Sequence, residues 1–128
     1  MTGKPPPPTN AELEILKALW TQGPQTVRDV HEKIRQRRPV GYTTVLKLMQ
    51  IMAEKGLVVR DETSRSHVYR AAADESAVTR HLVRELVDRA FEGSAARLVM
   101  QVLADKPASA TEIREIRDLL DRMNRRAS

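Results

Sequence analysis

Apolar residues in the first third of the chain recur three or four positions apart, which is the spacing of one helix face. Thr9 stands three residues before Glu12, as in a capping box, and Gly23–Pro24 ends the pattern. Thr26, with Asp29 three residues later, predicts the N-cap of a second helix. The apolar positions of the two predicted helices are Leu13, Leu16, Leu19 and Trp20, then Val27, Val30 and Ile34.

A third helix is predicted after Gly41, with Thr43 or Thr44 as its N-cap and Lys55-Gly56 as its C-terminal signal. At 100° per residue the sequence separates into an apolar and a polar side. The apolar side carries Val45, Leu48, Met49 and Met52. The opposite side carries Thr43, Lys47, Gln50 and Glu54.

Two short β-prone runs follow, Leu57–Arg60 and His67–Arg70, on either side of the polar segment Asp61–Ser66. This pattern predicts a hairpin. Because the polar segment contains no glycine, a tight two-residue turn is disfavoured and a longer loop is expected.

Helical spacing returns for the rest of the chain, beginning at Asp74. Phe91–Ser94 interrupts the pattern, with Ser94 as the N-cap of a shorter helix that Lys106–Pro107 ends. Ser109 and Glu112 form a second capping-box spacing before a last helix. The apolar positions of these three helices are Val78, Leu82, Leu86, Val87 and Ala90; Leu98, Val99, Val102 and Leu103; and Ile113, Ile116, Leu120 and Met123.

The order of elements predicts a mainly α fold with a small β-hairpin. Three helices and a hairpin over residues 9–72 are the layout of a winged helix-turn-helix domain. Residues 73–128 are expected to form a three-helix dimerisation region, because so short a helical segment has little core of its own. The four prolines Pro5–Pro8 predict a flexible, extended arm over residues 1–8.

Charge is distributed unevenly over these parts. The net charge is +5, and residues 1–72, with 12 Lys+Arg and 7 Asp+Glu, hold all of it. Residues 73–128 hold 10 of each sign and are neutral. A positive field confined to one module indicates a polyanion partner, whereas a surface made basic for solubility is the plainer explanation.

Composition excludes several classes of protein. The chain has no cysteine, and therefore no disulfide, thiolate zinc site or iron–sulfur cluster. No apolar run exceeds three residues and the N-terminus lacks an apolar stretch, so we expect a cytoplasmic protein without membrane insertion. Three histidines, His31, His67 and His81, fall on different predicted elements, and no catalytic motif occurs. We predict no enzyme activity, no metal and no cofactor, and a His/Asp/Glu site across a dimer interface is the less favoured alternative.

In a winged helix-turn-helix the third helix enters the major groove and the wing lies along the DNA backbone. On the polar side of the third helix, Gln50 suits adenine, Lys47 suits guanine, and Thr43 suits a phosphate or a thymine methyl group. Further backbone contacts are expected from Arg38, from Thr44 at the helix N-terminus and from the wing residues Arg65, Ser66 and His67. A winged-helix protein–protein module without specific DNA binding is the alternative, and a non-specific architectural protein is a weaker one.

The stretch Gly41–Ala71, GYTTVLKLMQIMAEKGLVVRDETSRSHVYRA, resembles the penicillinase and methicillin-resistance repressors, the BlaI/MecI/CopY family. Thr9–Trp20, Thr26–Ile34 and Phe91–Leu103 are similar to that family as well. The resemblance implies a cytoplasmic bacterial repressor. Its winged helix would bind a palindromic operator in double-stranded DNA, and its C-terminal helices would form an intertwined homodimer.

The resemblance also implies roles for particular residues. The family's base contacts after the YTTV element fall here on Tyr42, Thr43, Thr44 and Lys47. The complete set of expected DNA-binding residues is Thr26, Arg38, Tyr42, Thr43, Thr44, Lys47, Gln50, Arg65, Ser66 and His67. The expected dimerisation residues are Leu82, Leu86, Phe91, Leu98, Val102, Ile113, Ile116, Leu120 and Met123.

Three departures from the family pattern bear on specificity and induction. Ile51 stands where many relatives have arginine, and Lys47 where threonine is common, so the operator sequence is expected to differ. The Asn-Phe bond that a membrane sensor protease cuts in relatives corresponds to Gln101-Val102 here. The cysteines of the copper-responsive branch are missing.

Overall fold

The computed structural model describes residues 6–127, which contain six helices and three short strands. In chain order the elements are α1 (Asn10–Gln22), β1 (Gln25–Thr26), α2 (Val27–Arg35), α3 (Tyr42–Lys55), β2 (Val58–Asp61), β3 (Val68–Ala71), α4 (Glu75–Ala90), α5 (Ala95–Asp105) and α6 (Ala110–Ala127). The predicted mainly α fold with a small hairpin is confirmed. Residues 6–8 of the expected arm have no regular secondary structure, and the remainder of that arm lies outside the described residues.

Most helix starts are where the capping signals predict them. The Thr9 hydroxyl accepts from the Glu12 backbone N–H at 3.2 Å, and the Glu12 carboxylate accepts from the Thr9 N–H at 2.9 Å. Ser109 and Glu112 repeat this reciprocal pair at the start of α6. The hydroxyl of Thr26 caps α2. These side chains satisfy backbone donors that have no partner within their helices.

The start of α3 is a correction. Neither Thr43 nor Thr44 is its N-cap, because Gly41 occupies that position with extended backbone (φ −80°, ψ 152°) and the helix begins at Tyr42. Both threonines therefore lie inside the first turn, where their hydroxyls are beyond the position that caps a helix. No side chain caps α3, so the backbone N–H groups of its first turn have no side-chain acceptor at the cap.

The predicted hairpin is one part of a three-stranded antiparallel sheet with strand order β1-β3-β2. In the wing, formed by β2, β3 and residues 62–67 between them, Arg60 lies opposite Tyr69. That six-residue connection agrees with the expected longer loop. Sequence patterns missed β1, in which Gln25 pairs with Tyr69, because two residues are too few to show an alternation.

One hydrophobic core joins α1, α2, α3 and the sheet. Its buried residues include the predicted apolar face of α2 and three of the four predicted positions of α3, while Leu48 is half-buried. The core members are Ile15, Leu16, Leu19, Val27, Val30, Ile34, Val45, Met49, Met52, Leu57, Val58 and Tyr69. Glu12 is also buried, and its carboxylate accepts a hydrogen bond from Lys55 Nζ at 2.8 Å, which ties α1 to the end of α3.

The chain forms two compact units that divide within α4, between Val83 and Arg84. The expected domain boundary after residue 72 falls inside the first unit, where Val78 of α4 packs against the core. No residue of α4, α5 or α6 is buried among the described residues. Within residues 6–127, no helix has the length and apolar character needed to cross a membrane.

Candidate nucleic-acid interface

An open groove of about 510 Å³ lies on the first unit, where the start of α2, the exposed side of α3 and the wing meet. It brings together six of the ten predicted DNA-binding residues. These are Thr26, Tyr42, Gln50, Arg65, Ser66 and His67. The chain reaches this arrangement because β3 returns along the sheet and holds the wing loop beside α3.

A second depression continues the groove along α3. Its lining includes Lys47, Ile51 and Glu54, and it shares Gln50 and Arg60 with the first groove. The two depressions therefore form one surface, which we call the reading surface and define by the residues that line them. Seven of the ten predicted residues lie on it once Lys47 is included.

The other three predicted residues line neither depression. Thr43 and Thr44 are exposed in the first turn of α3. The Arg38 guanidinium is bound to Glu14 of α1, with Nη2 and Nε at 2.8 and 3.1 Å from Oε1. This hydrogen bond and the adjacent negative charge raise the pKa of Arg38. Arg38 therefore already has an acidic partner within the protein.

Two arginines of the reading surface were missed by sequence reasoning. Arg28 is exposed in the first turn of α2 and has no acidic partner among the described side chains. The Arg60 guanidinium bonds to Glu62, with Nε at 2.8 Å and Nη2 at 2.7 Å from Oε2. Hydrogen bonds to Tyr69 and to Glu62 raise the pKa of Arg60. Residues two apart on a strand lie on the same face of the sheet, so alternation places Arg60 on the face of Val58 and gives a weak signal for it. Nothing in the sequence distinguishes Arg28.

Tyr42 is held in place by a contact with His31 of α2. The two rings meet edge to face, with centroids 5.7 Å apart and planes at 89°. His31 Nε2 lies 2.8 Å from the Val40 carbonyl oxygen, which can only accept, so Nε2 carries the proton and donates. The α2–α3 turn and the first residue of α3 are therefore fixed by one imidazole.

The reading surface is predominantly positive. Arg28, Lys47 and Arg65 form no ion pair with any acid in the part of the chain that the structure describes. Among the described residues that line this surface, Glu54 is the single acid, and the nearby Glu62 is already paired with Arg60. Free cations beside amide and hydroxyl groups on an open surface can bind phosphates and the edges of bases.

Apolar side chains remain exposed on the three C-terminal helices. The predicted dimerisation residues Leu86, Val102, Ile113, Leu120 and Met123 are between 44 and 58% exposed. The other predicted residues, Leu82, Phe91, Leu98 and Ile116, are half-buried. Gln101 and Val102 both lie in α5 and are exposed. Nowhere in residues 6–127 do three His, Asp or Glu side chains cluster as metal ligands would.

The sequence model of a known family, the penicillinase repressors, matches residues 8–122. The match includes both the reading surface and the C-terminal helices. The chain belongs to the penicillinase repressor family.

Some relatives of this chain match about half of its length, and others match nearly all of it. Over 59 residues the chain is 42% identical to the transcriptional regulator BlaI of Mycobacterium tuberculosis, a match that spans 45% of this chain and 43% of that protein. The methicillin resistance regulatory protein MecI of Mammaliicoccus sciuri is 21% identical over 89% of this chain and 93% of its own length. The penicillinase repressor of Bacillus licheniformis is 23% identical over 92% of each chain.

Proposed function

We propose that the chain is a homodimeric transcriptional repressor that binds a palindromic operator in double-stranded DNA. Its winged-helix domain, residues 9–72, which we call the head, would bind one half of that operator. The observation that carries this proposal is the reading surface, which joins α3, the wing and the start of α2 into one positive face. Membership of the penicillinase repressor family supports the repressor role.

Contacts within the reading surface divide into two kinds. Lys47 and Gln50 lie on the exposed side of α3, so they are placed to bind base edges in the major groove. Arg28, Arg65 and Thr26 surround that side and are placed to bind phosphates, which fix the register of the helix on the duplex. Phosphate contacts contribute affinity for any sequence, whereas base contacts discriminate among sequences.

Dimerisation through the C-terminal helices is supported by their exposed apolar residues. Soluble monomers rarely expose large contiguous apolar patches, and burying such residues against a second copy is favourable. The exposed set on α5 and α6 comprises Val99, Met100, Val102, Leu103, Ile113, Leu119, Leu120 and Met123. A dimer also links two heads, so the second half-site binds at a high effective concentration.

Relief of repression is proposed to follow proteolysis within α5 by a membrane sensor protease. Gln101 and Val102 are exposed on this helix, and a cut between Ser94 and Ala104 would separate α6 from the head. The head would stay intact, but it would lose its link to a second head. Mass spectrometry of the protein after cell-wall antibiotic stress tests this step, and a chain that stays full-length would rule it out.

Selection of bound duplexes from a random library tests the function as a whole. We expect an inverted repeat whose half-sites are separated by about one helical turn, or a multiple of it, because a two-fold dimer presents its heads symmetrically. Titration of the selected duplex at several salt concentrations then gives the number of phosphate contacts. Failure to retard any duplex at about 50 mM salt would favour a protein–protein module, and equal affinity for all duplexes would favour an architectural protein.

A further inference from the structure

The turn between α2 and α3, residues 36–41, is anchored at both of its ends. At its start the Arg38 N–H donates to the Ile34 carbonyl at 3.2 Å. At its end the Val40 side chain packs against the core, and the Val40 carbonyl oxygen accepts from His31 Nε2 at 2.8 Å. The backbone that leads into α3 is therefore held both by α2 and by the core.

The same imidazole also contacts the first side chain of α3. The rings of His31 and Tyr42 meet edge to face, with their centroids 5.7 Å apart. Aromatic pairs in this arrangement are favourable beyond the area that they bury. Tyr42 is nevertheless 46% exposed, and its hydroxyl has no hydrogen-bond partner among residues 6–127. The protein thus holds the ring and leaves the phenol hydroxyl available to a ligand.

The groove beside Tyr42 is suited to an anion. Its lining includes Arg28 and Arg65, neither of which forms an ion pair with a described acid. No aspartate or glutamate within residues 6–127 lines this groove. A tyrosine hydroxyl can donate a hydrogen bond to a phosphate oxygen of DNA. His31, in contrast, lines neither depression of the reading surface, so any effect it has on a ligand there is indirect.

We infer that His31 is a positioning residue, which holds Tyr42 for a contact between its hydroxyl and a phosphate of the operator backbone. The inference rests on the proposed function, since it assumes that the reading surface binds duplex DNA. A side chain that is already ordered in the free protein loses less conformational freedom on binding. The contact between His31 and Tyr42 would therefore increase affinity although His31 itself does not contact DNA.

A double-mutant cycle in the full-length protein tests whether His31 acts through Tyr42. The probe is a duplex with one half-site of the operator that the wild-type protein selects, so the pairing of two half-sites does not affect the measurement. His31→Gln removes the ring and keeps an amide that can reach the Val40 carbonyl. We expect it to bind about three- to tenfold more weakly, because Tyr42 must then be ordered during binding. In a Tyr42→Ala background, the same substitution should change affinity by less than about twofold.

Three further variants define the contact. His31→Phe keeps a ring against Tyr42 and should bind within about twofold of wild type. Tyr42→Phe keeps the pair of rings and removes only the hydroxyl, so it should weaken the selected half-site and a random duplex by the same factor. His81→Gln makes the matched substitution at another half-buried histidine, in α4, and should bind as the wild-type protein does.

Thermal unfolding of each variant separates loss of folding from loss of positioning. His31→Leu also lacks an aromatic ring, and it replaces His31→Gln in the cycle if that variant does not fold. A variant that is folded at the temperature of the titration but binds more weakly is the result expected for a positioning residue.

Four results would overturn the inference. The first is wild-type affinity of His31→Gln for the half-site. The second is an equal loss from His31→Gln with and without Tyr42, which would make His31 only a stabilising residue of the head. The third is an equal loss in His31→Gln and His31→Phe. The fourth is a Tyr42→Phe protein that binds both duplexes unchanged or weakens only on the selected one. If the wild-type protein selects no operator, the proposed function itself has failed, and that result is distinct from these four.

Discussion

At the scale of single residues, the buried carboxylate of Glu12 joins the start of α1 to the end of α3. It caps α1 through the Thr9 N–H and accepts from Lys55 at 2.8 Å at the end of α3. Burial raises the pKa of this carboxyl, but the hydrogen bonds from Lys55 and Thr9 outweigh it and leave the pKa below its usual value of 4.5. The sequence predicts the cap, since the spacing is local. It gives no sign of Lys55, which is 43 residues away along the chain.

Because the pKa of Glu12 is lowered in the folded state, the stability of the head depends on pH. A carboxyl with a lower pKa in the folded state stabilises the fold above pH 4.5 and loses that contribution as the pH falls through the folded pKa. We expect Glu12→Gln to cost about 1–3 kcal/mol at pH 7, with the difference from wild type shrinking below pH 4.5. Urea unfolding from pH 3 to pH 7 measures it. Glu14→Gln, which breaks the more exposed pair with Arg38, is the control and should show a smaller loss.

Removing either of two cations of the reading surface is expected to weaken DNA binding, but in different ways. Lys47→Ala should cost about 1–3 kcal/mol on the operator and change the preferred sequence, because lysine binds base edges. Arg65→Ala should weaken operator and random duplex alike and reduce the salt slope by about 1, because it removes one phosphate contact. Titrations of both duplexes over a range of salt concentrations separate the two effects. A Lys47→Ala protein that binds both duplexes unchanged would remove Lys47 from the set of base contacts.

At the scale of elements, sequence patterns were most informative where a signal is local. Capping boxes and the Lys55-Gly56 stop predicted the helix bounds to within a residue or two, and the glycine-free segment indicated that the wing loop is longer than two residues. The same patterns placed the α3 N-cap wrongly and missed β1 altogether. The residues before α3 are held by the contact between His31 and the Val40 carbonyl, and β1 is formed by pairing of Gln25 with Tyr69 of β3. Neither contact is local in sequence, so neither leaves a periodic signal.

The C-cap of α3 is an element-scale feature that is sensitive to substitution. Gly56 has a φ of +85° with open space around it, so an added Cβ would meet backbone strain and no neighbouring atom. Gly56→Ala is therefore expected to destabilise the head by about 1 kcal/mol. Thermal or urea unfolding gives the value. Gly41→Ser, at an ordinary φ of −80°, is the control and should leave stability unchanged or slightly raised by supplying the missing cap.

At the scale of the whole molecule, positive charge and exposed apolar surface belong to different parts of the chain. Residues 1–72 carry all of the net charge of +5, and the reading surface lies among them. The exposed apolar residues are concentrated on α4, α5 and α6, which lie within the neutral segment of residues 73–128. The charge split was readable from the sequence. The sequence could not show which cations are already paired, as Arg38 is and Lys47 is not.

Assembly through α6 gives a prediction at this scale. Leu120 is 58% exposed in the expected seam, and Leu120→Asn should shift the protein from dimer to monomer in analytical ultracentrifugation. Its affinity for the palindrome should fall to that for a single half-site, because the two heads are no longer linked. Asp118→Asn introduces the same residue on the polar side of α6 and should remain dimeric. A dimeric Leu120→Asn protein would place the pairing surface elsewhere.

The division of the chain within α4 also constrains how the length of this protein can change. Because α4 is one unbroken helix from Glu75 to Ala90, one residue inserted after Val83 turns the remaining residues of α4 by about 100° about the helix axis and advances them by about 1.5 Å. Seven inserted residues restore the direction to within about 20°. Insertions and deletions in this helix therefore keep its apolar positions on one side only in multiples of whole turns, whereas a change in the length of the wing loop has no such helical period.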